Sequence, residues 1–235
     1  MIFRQLFDKT SSTYTYLLGD KISGDAVLID PVLGEGEAYL RLLQELGLKL
    51  VMALDTHVHA DHITALGMLR EHTGCRSLMG QEARADCVSG RFADGDELRF
   101  GRHVLRVMYT PGHTDDSYSF YLEAEGRRYA FTGDTLLIRG TGRTDFQNGD
   151  AAAQYHSLFD RLLTLPADTA VYPAHDYKGW TVSSIAEERA HNPRLQVADK
   201  PAYVALMQAL KLPHPALMDV AVPANLSCGR AGAST

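Results

Sequence analysis

Hydrophobic and polar positions alternate from the start of the chain, through Phe3, Gln5 and Phe7. Two more runs rich in β-branched and aromatic residues follow, at 13–18 and 26–30, with Gly19-Asp20 and Ser23-Gly24 between them. Runs of this kind, broken by turn residues, predict an antiparallel meander. Asp30-Pro31 ends it, and Asp30 reads as a turn former. Tyr39, Leu42, Leu43 and Leu46 then recur at helical spacing over residues 38–46, and Gly47 stops that helix. The apolar run at 48–54 predicts a buried strand leading into a helix over 63–70 that ends near Gly74. Asp61 suits the start of that helix, as an N-cap and as a negative charge on the dipole. Further on, a short apolar piece spans 77–79, and strand pairs are predicted at 97–100 with 103–109 and at 118–122 with 128–132. A strand at 169–172 and helices at 151–163, 183–190 and 202–210 complete the pattern. There is no repeat or linker, so the chain reads as a single domain over 1–235 with a short C-terminal helical segment. Strands, a helix, strands and helices in that order predict an α+β αββα sandwich, two mixed β-sheets flanked by helices.

The strand at 48–54 runs directly into Thr56-His57-Val58-His59-Ala60-Asp61-His62. Three imidazoles and a carboxylate this close are typical transition-metal ligands. The same grammar of strand, tight turn and ligand-type residue recurs at Pro111-Gly112-His113, Gly133-Asp134 and Pro173-Ala174-His175. Strand ends that carry ligands to one rim build a rigid site from distant sequence. His72, His103, His156, His191 and His214 have no such setting and read as surface or structural.

Composition narrows the function classes. A net charge of -6 argues against nucleic acid as the main partner. No apolar run reaches the roughly 18 residues needed to span a membrane. The N-terminal residues lack a signal-peptide pattern, which leads to the expectation of a cytoplasmic protein. Cys75, Cys87 and Cys228 are widely spaced, with no CxxC. They read as reduced, with Cys228 the most exposed.

The ordered set HxHxDH, His113, Asp134 and His175 resembles the metallo-β-lactamase superfamily. Closer likeness to its persulfide dioxygenase (sulfur dioxygenase) family lies in Tyr14-Thr15-Tyr16-Leu17-Leu18-Gly19-Asp20, Val27-Leu28-Ile29-Asp30-Pro31-Val32 and the histidine cluster itself. It continues in Arg139-Gly140-Thr141-Gly142-Arg143-Thr144-Asp145-Phe146-Gln147, Tyr172-Pro173-Ala174-His175-Asp176-Tyr177 and Val222-Pro223-Ala224-Asn225. The GRTDFQ run is the most specific of these motifs. The resemblance implies the metallo-β-lactamase-type sandwich and one non-haem Fe(II) per chain. It implies oxidation of the outer sulfur of glutathione persulfide by O2 to sulfite and glutathione. The implied iron ligands are His59, His113 and Asp134, two histidines and a carboxylate, a set that leaves positions open on iron. His57, Asp61, His62 and His175 would then support them by orienting ligands, holding water or tuning charge. Arg143 is placed to pair with a glutathione carboxylate. Tyr177 is placed to hydrogen-bond the bound ligand, as a substrate contact and catalytic group, and Arg139 and Lys178 are weaker substrate contacts. The family suggests a homodimer, and any sulfurtransferase partner would be a separate chain.

The competing reading is a binuclear-zinc glutathione thioester hydrolase similar to glyoxalase II. His57, His59 and His113 would hold one metal, Asp61, His62 and His175 the other, and Asp134 would bridge. Metals roughly 3.5–4 Å apart would activate water. The GRTDFQ run and the short C-terminal part favour the oxygenase.

Overall fold

The computed structural model describes residues 1–213 and 217–229. These form two compact units. The first holds Met1–Phe92, Leu98–Val104 and the described residues from 217 onward, and the second holds Ala93–Glu97 and Leu105–Pro213.

In the first unit the predicted meander is β1 (Ile2–Asp8), β2 (Thr13–Gly19) and β3 (Asp25–Ile29), paired antiparallel in that order. Next come α1 (Gly36–Glu45), β4 (Lys49–Leu54), α2 (Leu66–Thr73), β5 (Arg76–Gly80) and β6 (Gly90–Phe92). Strands β3 to β6 pair parallel, so the six-stranded sheet, in chain order, is mixed. Every residue of β2 is buried, which is why that strand carries an apolar run rather than strict alternation. Tyr39 and Leu43 of α1 join Leu66 and Leu69 of α2 over Leu28 and Ala53 in one apolar cluster. The parallel pairing sets Ile29 beside Leu54, so the residues after β3 and β4 emerge together.

Strands β7 (Glu97–Phe100), β8 (His103–Tyr109), β9 (Tyr118–Ala124), β10 (Arg127–Phe131), β11 (Ala170–Tyr172) and β12 (Ser183–Ser184) make a second sheet, ordered β12-β11-β10-β9-β8-β7. Here β10 pairs parallel with β11, whereas β9 pairs antiparallel with both β8 and β10 and β11 pairs antiparallel with β12, so this sheet is mixed as well. The second unit also carries α3 (Ala151–His156), α4 (Ile185–His191) and α5 (Lys200–Gln208). The predicted helix at 151–163 is helical throughout but changes pitch, widening over Ser157–Arg161 and tightening over Leu162–Thr164. Its inner face packs Leu158 and Leu162 on Val171, Ile185 and Tyr203. Two mixed sheets flanked by helices are thus the fold class read from the sequence. No helix among the described residues is long and apolar enough to cross a membrane.

Several details differ from the sequence reading. Helix α2 starts at Leu66 without a side-chain cap, and Asp61 lies apart from it, bonded to His62. The turn between them is instead held by Thr64, whose hydroxyl accepts from the Leu66 N–H at 3.2 Å. A further helix, α6 (Met218–Leu226), escaped prediction because Pro223 sits inside it and its apolar residues show almost no periodicity. Cys228 is neither reduced nor exposed: it is buried and bonded to Cys87, 141 residues away, while Cys75 is a buried free thiol. Spacing along a chain does not reveal which cysteines folding brings together. His214 lies outside the described residues.

Candidate metal centre

The first unit presents the histidine cluster on a loop that is held from below by Asp30. This residue follows β3 with φ 52° and is fully buried. Its Oδ1 accepts from the Thr56 N–H at 2.7 Å and lies 3.1 Å from His59 Nε2, and its Oδ2 accepts from the Thr56 hydroxyl at 3.0 Å. Asp30 is therefore more than the turn former read from the sequence. It orders the loop, and burial pushes its carboxyl pKa up while the hydrogen bonds from Thr56 favour the ionised form. The rings of His57 and His59 are 4.1 Å apart, and those of His59 and His62 are 4.3 Å apart.

The hydrogen bonds decide the tautomers. A carboxylate only accepts, so His59 donates from Nε2 to Asp30 and keeps its lone pair on Nδ1. The Thr56 hydroxyl spends its proton on Asp30, so it accepts from His57 Nδ1–H at 3.0 Å, leaving the lone pair on Nε2. His62 Nδ1 faces Asp61 Oδ2 at 2.8 Å, and its Nε2 is buried with no hydrogen bond. All three imidazoles are thus fixed through one nitrogen with the lone pair on the other, the state in which histidine binds a metal.

The second unit presents His113, Asp134 and His175. Each follows a strand, β8, β10 and β11 respectively. His113 Nδ1 donates to the Arg143 carbonyl at 2.8 Å, so its lone pair is on Nε2. That nitrogen lies 3.5 Å from Asp134 Oδ2, and His175 Nε2 lies 3.7 Å from Asp134 Oδ1. These separations exceed hydrogen-bond length. They fit within the roughly 4 Å that two donors on one ion can span when each is about 2.0–2.2 Å from it. Asp134 Oδ1 is buried and makes no hydrogen bond. A buried carboxylate oxygen between imidazole nitrogens is costly without a cation, so this donor set fits a metal.

The run that is most specific in sequence wraps this trio. The Gly142 N–H donates to the Asp134 carbonyl at 2.7 Å while the next residue holds His113. A Cβ at Gly142 would sit 2.2 Å from the Asp134 carbonyl oxygen and 2.8 Å from His113 Nδ1. Gly112, at φ 135°, lets the turn before His113 pack on Gln154, where a Cβ would approach the backbone to 2.4 Å.

A pocket of about 320 Å³ opens on the three ligand-type residues and is also lined by Arg139, Arg143, Tyr177, Lys178 and Arg194. The four side chains expected from the sequence to meet substrate thus all line this one pocket. Arg143 is already engaged. Its fork holds Asp145 at 2.6 and 2.8 Å, its Nη1 donates to the Pro213 carbonyl at 2.7 Å, and its plane lies over Phe146. That guanidinium also holds the Asp145 carboxyl below the usual range. Arg139 is tied to Glu187 and to the buried Glu188, which gives it a structural task. Tyr177 is exposed, with its ring stacked parallel on His175. Arg194 was not anticipated. It is half-buried against Thr141, and burial pulls its pKa down. It sits in a helix-ending Asn192-Pro193-Arg194 stretch with no motif to mark it.

Comparison with known proteins is consistent with this geometry. Residues 9–175 match the metallo-beta-lactamase superfamily. The mitochondrial persulfide dioxygenases ETHE1 of Mus musculus and Homo sapiens are each 49% identical over 232 residues, covering 97% of this chain and 89% of theirs. The crystal structure of ETHE1 from Myxococcus xanthus superposes with a TM-score of 0.94 at 54% identity, covering 98% of this chain and all of that one.

Proposed function

The chain belongs to the metallo-β-lactamase superfamily and, within it, to the persulfide dioxygenases, and from that premise we propose that it oxidises glutathione persulfide with O2 to sulfite and glutathione at one Fe(II) per chain. The observation that carries the reading is the donor set of the second unit, a half-buried Asp134 carboxylate facing two imidazole nitrogens at 3.5 and 3.7 Å, with its Oδ1 buried and without a hydrogen bond. In this reading His113 and Asp134 supply two ligands and the histidine loop supplies a third, so that two histidines and one carboxylate leave positions open for substrate. The family resemblance implies His59 as the loop ligand. His57, held through Nδ1 by Thr56, also presents a lone pair from this loop. Bound there, Fe(II) would supply the one-electron chemistry by which O2 reacts with a closed-shell sulfur anion.

The chain's own residues do the rest. The Arg143 carbonyl keeps His113 in its ligating tautomer, and Asp30 does the same for His59. His57, Asp61, His62 and His175 add charge and orientation around these groups. Arg143, Arg139, Arg194 and Lys178 give the pocket a cationic wall suited to the carboxylates of glutathione. Arg143 reaches such a carboxylate only by sharing its guanidinium with Asp145 or releasing it. The exposed Tyr177 phenol is placed to donate to the bound ligand.

Metal analysis combined with oxygen uptake tests the proposal. The expected result is about one iron per chain, rapid O2 consumption with glutathione persulfide, and sulfite formed. Two zincs per chain with thioester hydrolysis and no O2 uptake would replace it with the hydrolase. His113→Ala and Asp134→Ala should lose iron. Of His59→Ala and His57→Ala, one should lose iron and the other retain it. Equal loss in both contradicts a single loop ligand.

A further inference from the structure

Asn225, in the Val222-Pro223-Ala224-Asn225 motif, is fully buried. Its Nδ2 donates to the carbonyls of His59 and His62, both at 2.8 Å. Its Oδ1 accepts from the Thr64 N–H at 2.8 Å. Both amide protons and the amide oxygen are therefore spent on the backbone of one six-residue stretch, the stretch that carries the candidate ligands. Neighbouring contacts repeat the attachment. The Gly67 N–H donates to the Cys228 carbonyl at 3.0 Å. Gly229, at φ 74°, lies so near Thr64 that a Cβ would meet its carbonyl oxygen at 2.0 Å. Three residues after Asn225, Cys228 is bonded to Cys87, whose carbonyl in turn accepts from Arg70 of α2 at 2.6 Å.

We propose that Asn225 is a positioning residue for the metal-binding loop, and that the Cys87–Cys228 disulfide is a redox-sensitive tether that sets how firmly α6 holds it. The inference rests on the reading of the loop as a metal ligand. A planar amide that satisfies two carbonyls and an N–H at once fixes the loop in one conformation, and the hydrogen bonds are strong because the site is dry. The tether limits how far α6 can lift away. Cys87 is the partly exposed partner, so a low-molecular-weight thiol attacks there. The sulfur–sulfur bond breaks, and a second thiol resolves the mixed disulfide. Two electrons and two protons pass to the two cysteines, and the reductant leaves as its own disulfide. The glutathione released in the proposed reaction is a thiol of this class.

Metal affinity and loop exchange test this on the full chain. Co(II) is titrated into metal-free protein against a chromophoric chelator, and amide hydrogen exchange is followed at residues 57–67 of the metal-free form. Asn225→Asp keeps the acceptor and the shape but removes both donors. It should weaken Co(II) binding about 10–100-fold, the usual cost of losing a group that holds a metal ligand in place. It should also speed exchange in the loop. Phosphine reduction of the wild type should shift both readouts in the same direction, by less, and should change nothing further in Cys87→Ser. Denatured, unreduced protein should titrate one thiol. Wild-type affinity and exchange in Asn225→Asp would overturn the positioning role. Three titratable thiols, or reduction without effect on exchange, would overturn the tether. Wild-type protein that binds no metal would count against the proposed function instead, and the exchange data would still decide this inference.

Discussion

At the scale of single residues, backbone atoms hold the ligand-type side chains of the site in place. His113 has its Nε2 lone pair left available to a metal by a backbone carbonyl that accepts from its Nδ1, and that carbonyl is placed by Gly142. Gly142→Ala would drive a methyl into the Asp134 carbonyl and the His113 ring. Neither is the far end of a flexible chain, so the clash costs about 1–3 kcal/mol of overpacking. The variant should melt at lower temperature than the wild type and hold clearly less metal per folded chain, as read by calorimetry and elemental analysis. An undiminished metal content would show that the 140–143 stretch does not shape the ligands. The sequence marked this run as diagnostic without showing what it does. Its role is a close approach to His113 and Asp134, and such a distance leaves no trace in residue types.

At the scale of elements, strand ends and helix starts do the placing. The Asp150 side chain caps α3 by accepting from the Ala152 and Ala153 N–H groups at 2.7 and 3.0 Å, while its own N–H donates to the Gly112 carbonyl at 2.9 Å. The helix start is thereby tied to the turn before His113. Asp150→Ala should cost about 1 kcal/mol, the usual loss for a removed N-cap. That corresponds to a fall of about 2–4 °C in melting temperature for a chain of this size. A thermal scan that shows no change would mean that the backbone contact alone holds this junction. Most elements were legible because period-two and period-3.6 patterns are local. α6 was not, since its proline and its near-absence of amphipathicity hide a helix whose purpose is to bring Asn225 to a distant loop.

At the scale of the whole molecule, stability should depend on pH through groups remote from the site. Asp20 is buried and accepts from Arg102 at its backbone N–H (2.9 Å) and guanidinium (3.1 Å), and from the Ile22 N–H at 3.1 Å. Arg102 holds its carboxyl well below the usual carboxylate range. A carboxyl with a depressed folded-state pKa stabilises fully above its unfolded value of about 3.9 and loses that contribution as pH falls toward the folded value. Asp20→Asn should therefore unfold in less urea than the wild type at neutral pH, and the gap should shrink as the pH is lowered below about 4. A gap independent of pH would mean that the ion pair contributes nothing through its charge. The sequence by itself determined the class of fold, the order of nearly every strand and helix, the family and the residues able to bind metal. Those properties follow from local periodicity and from side-chain chemistry that each residue carries wherever it lies. Only the tertiary structure decided that Asp30 underlies the histidine loop, that Arg143 is engaged by Asp145, that Asn225 clamps His59 and His62, and that Cys87 pairs with Cys228. Each of these is a contact between residues brought together by the path of the chain, and the polar groups concerned are satisfied only once burial has removed water as the alternative partner.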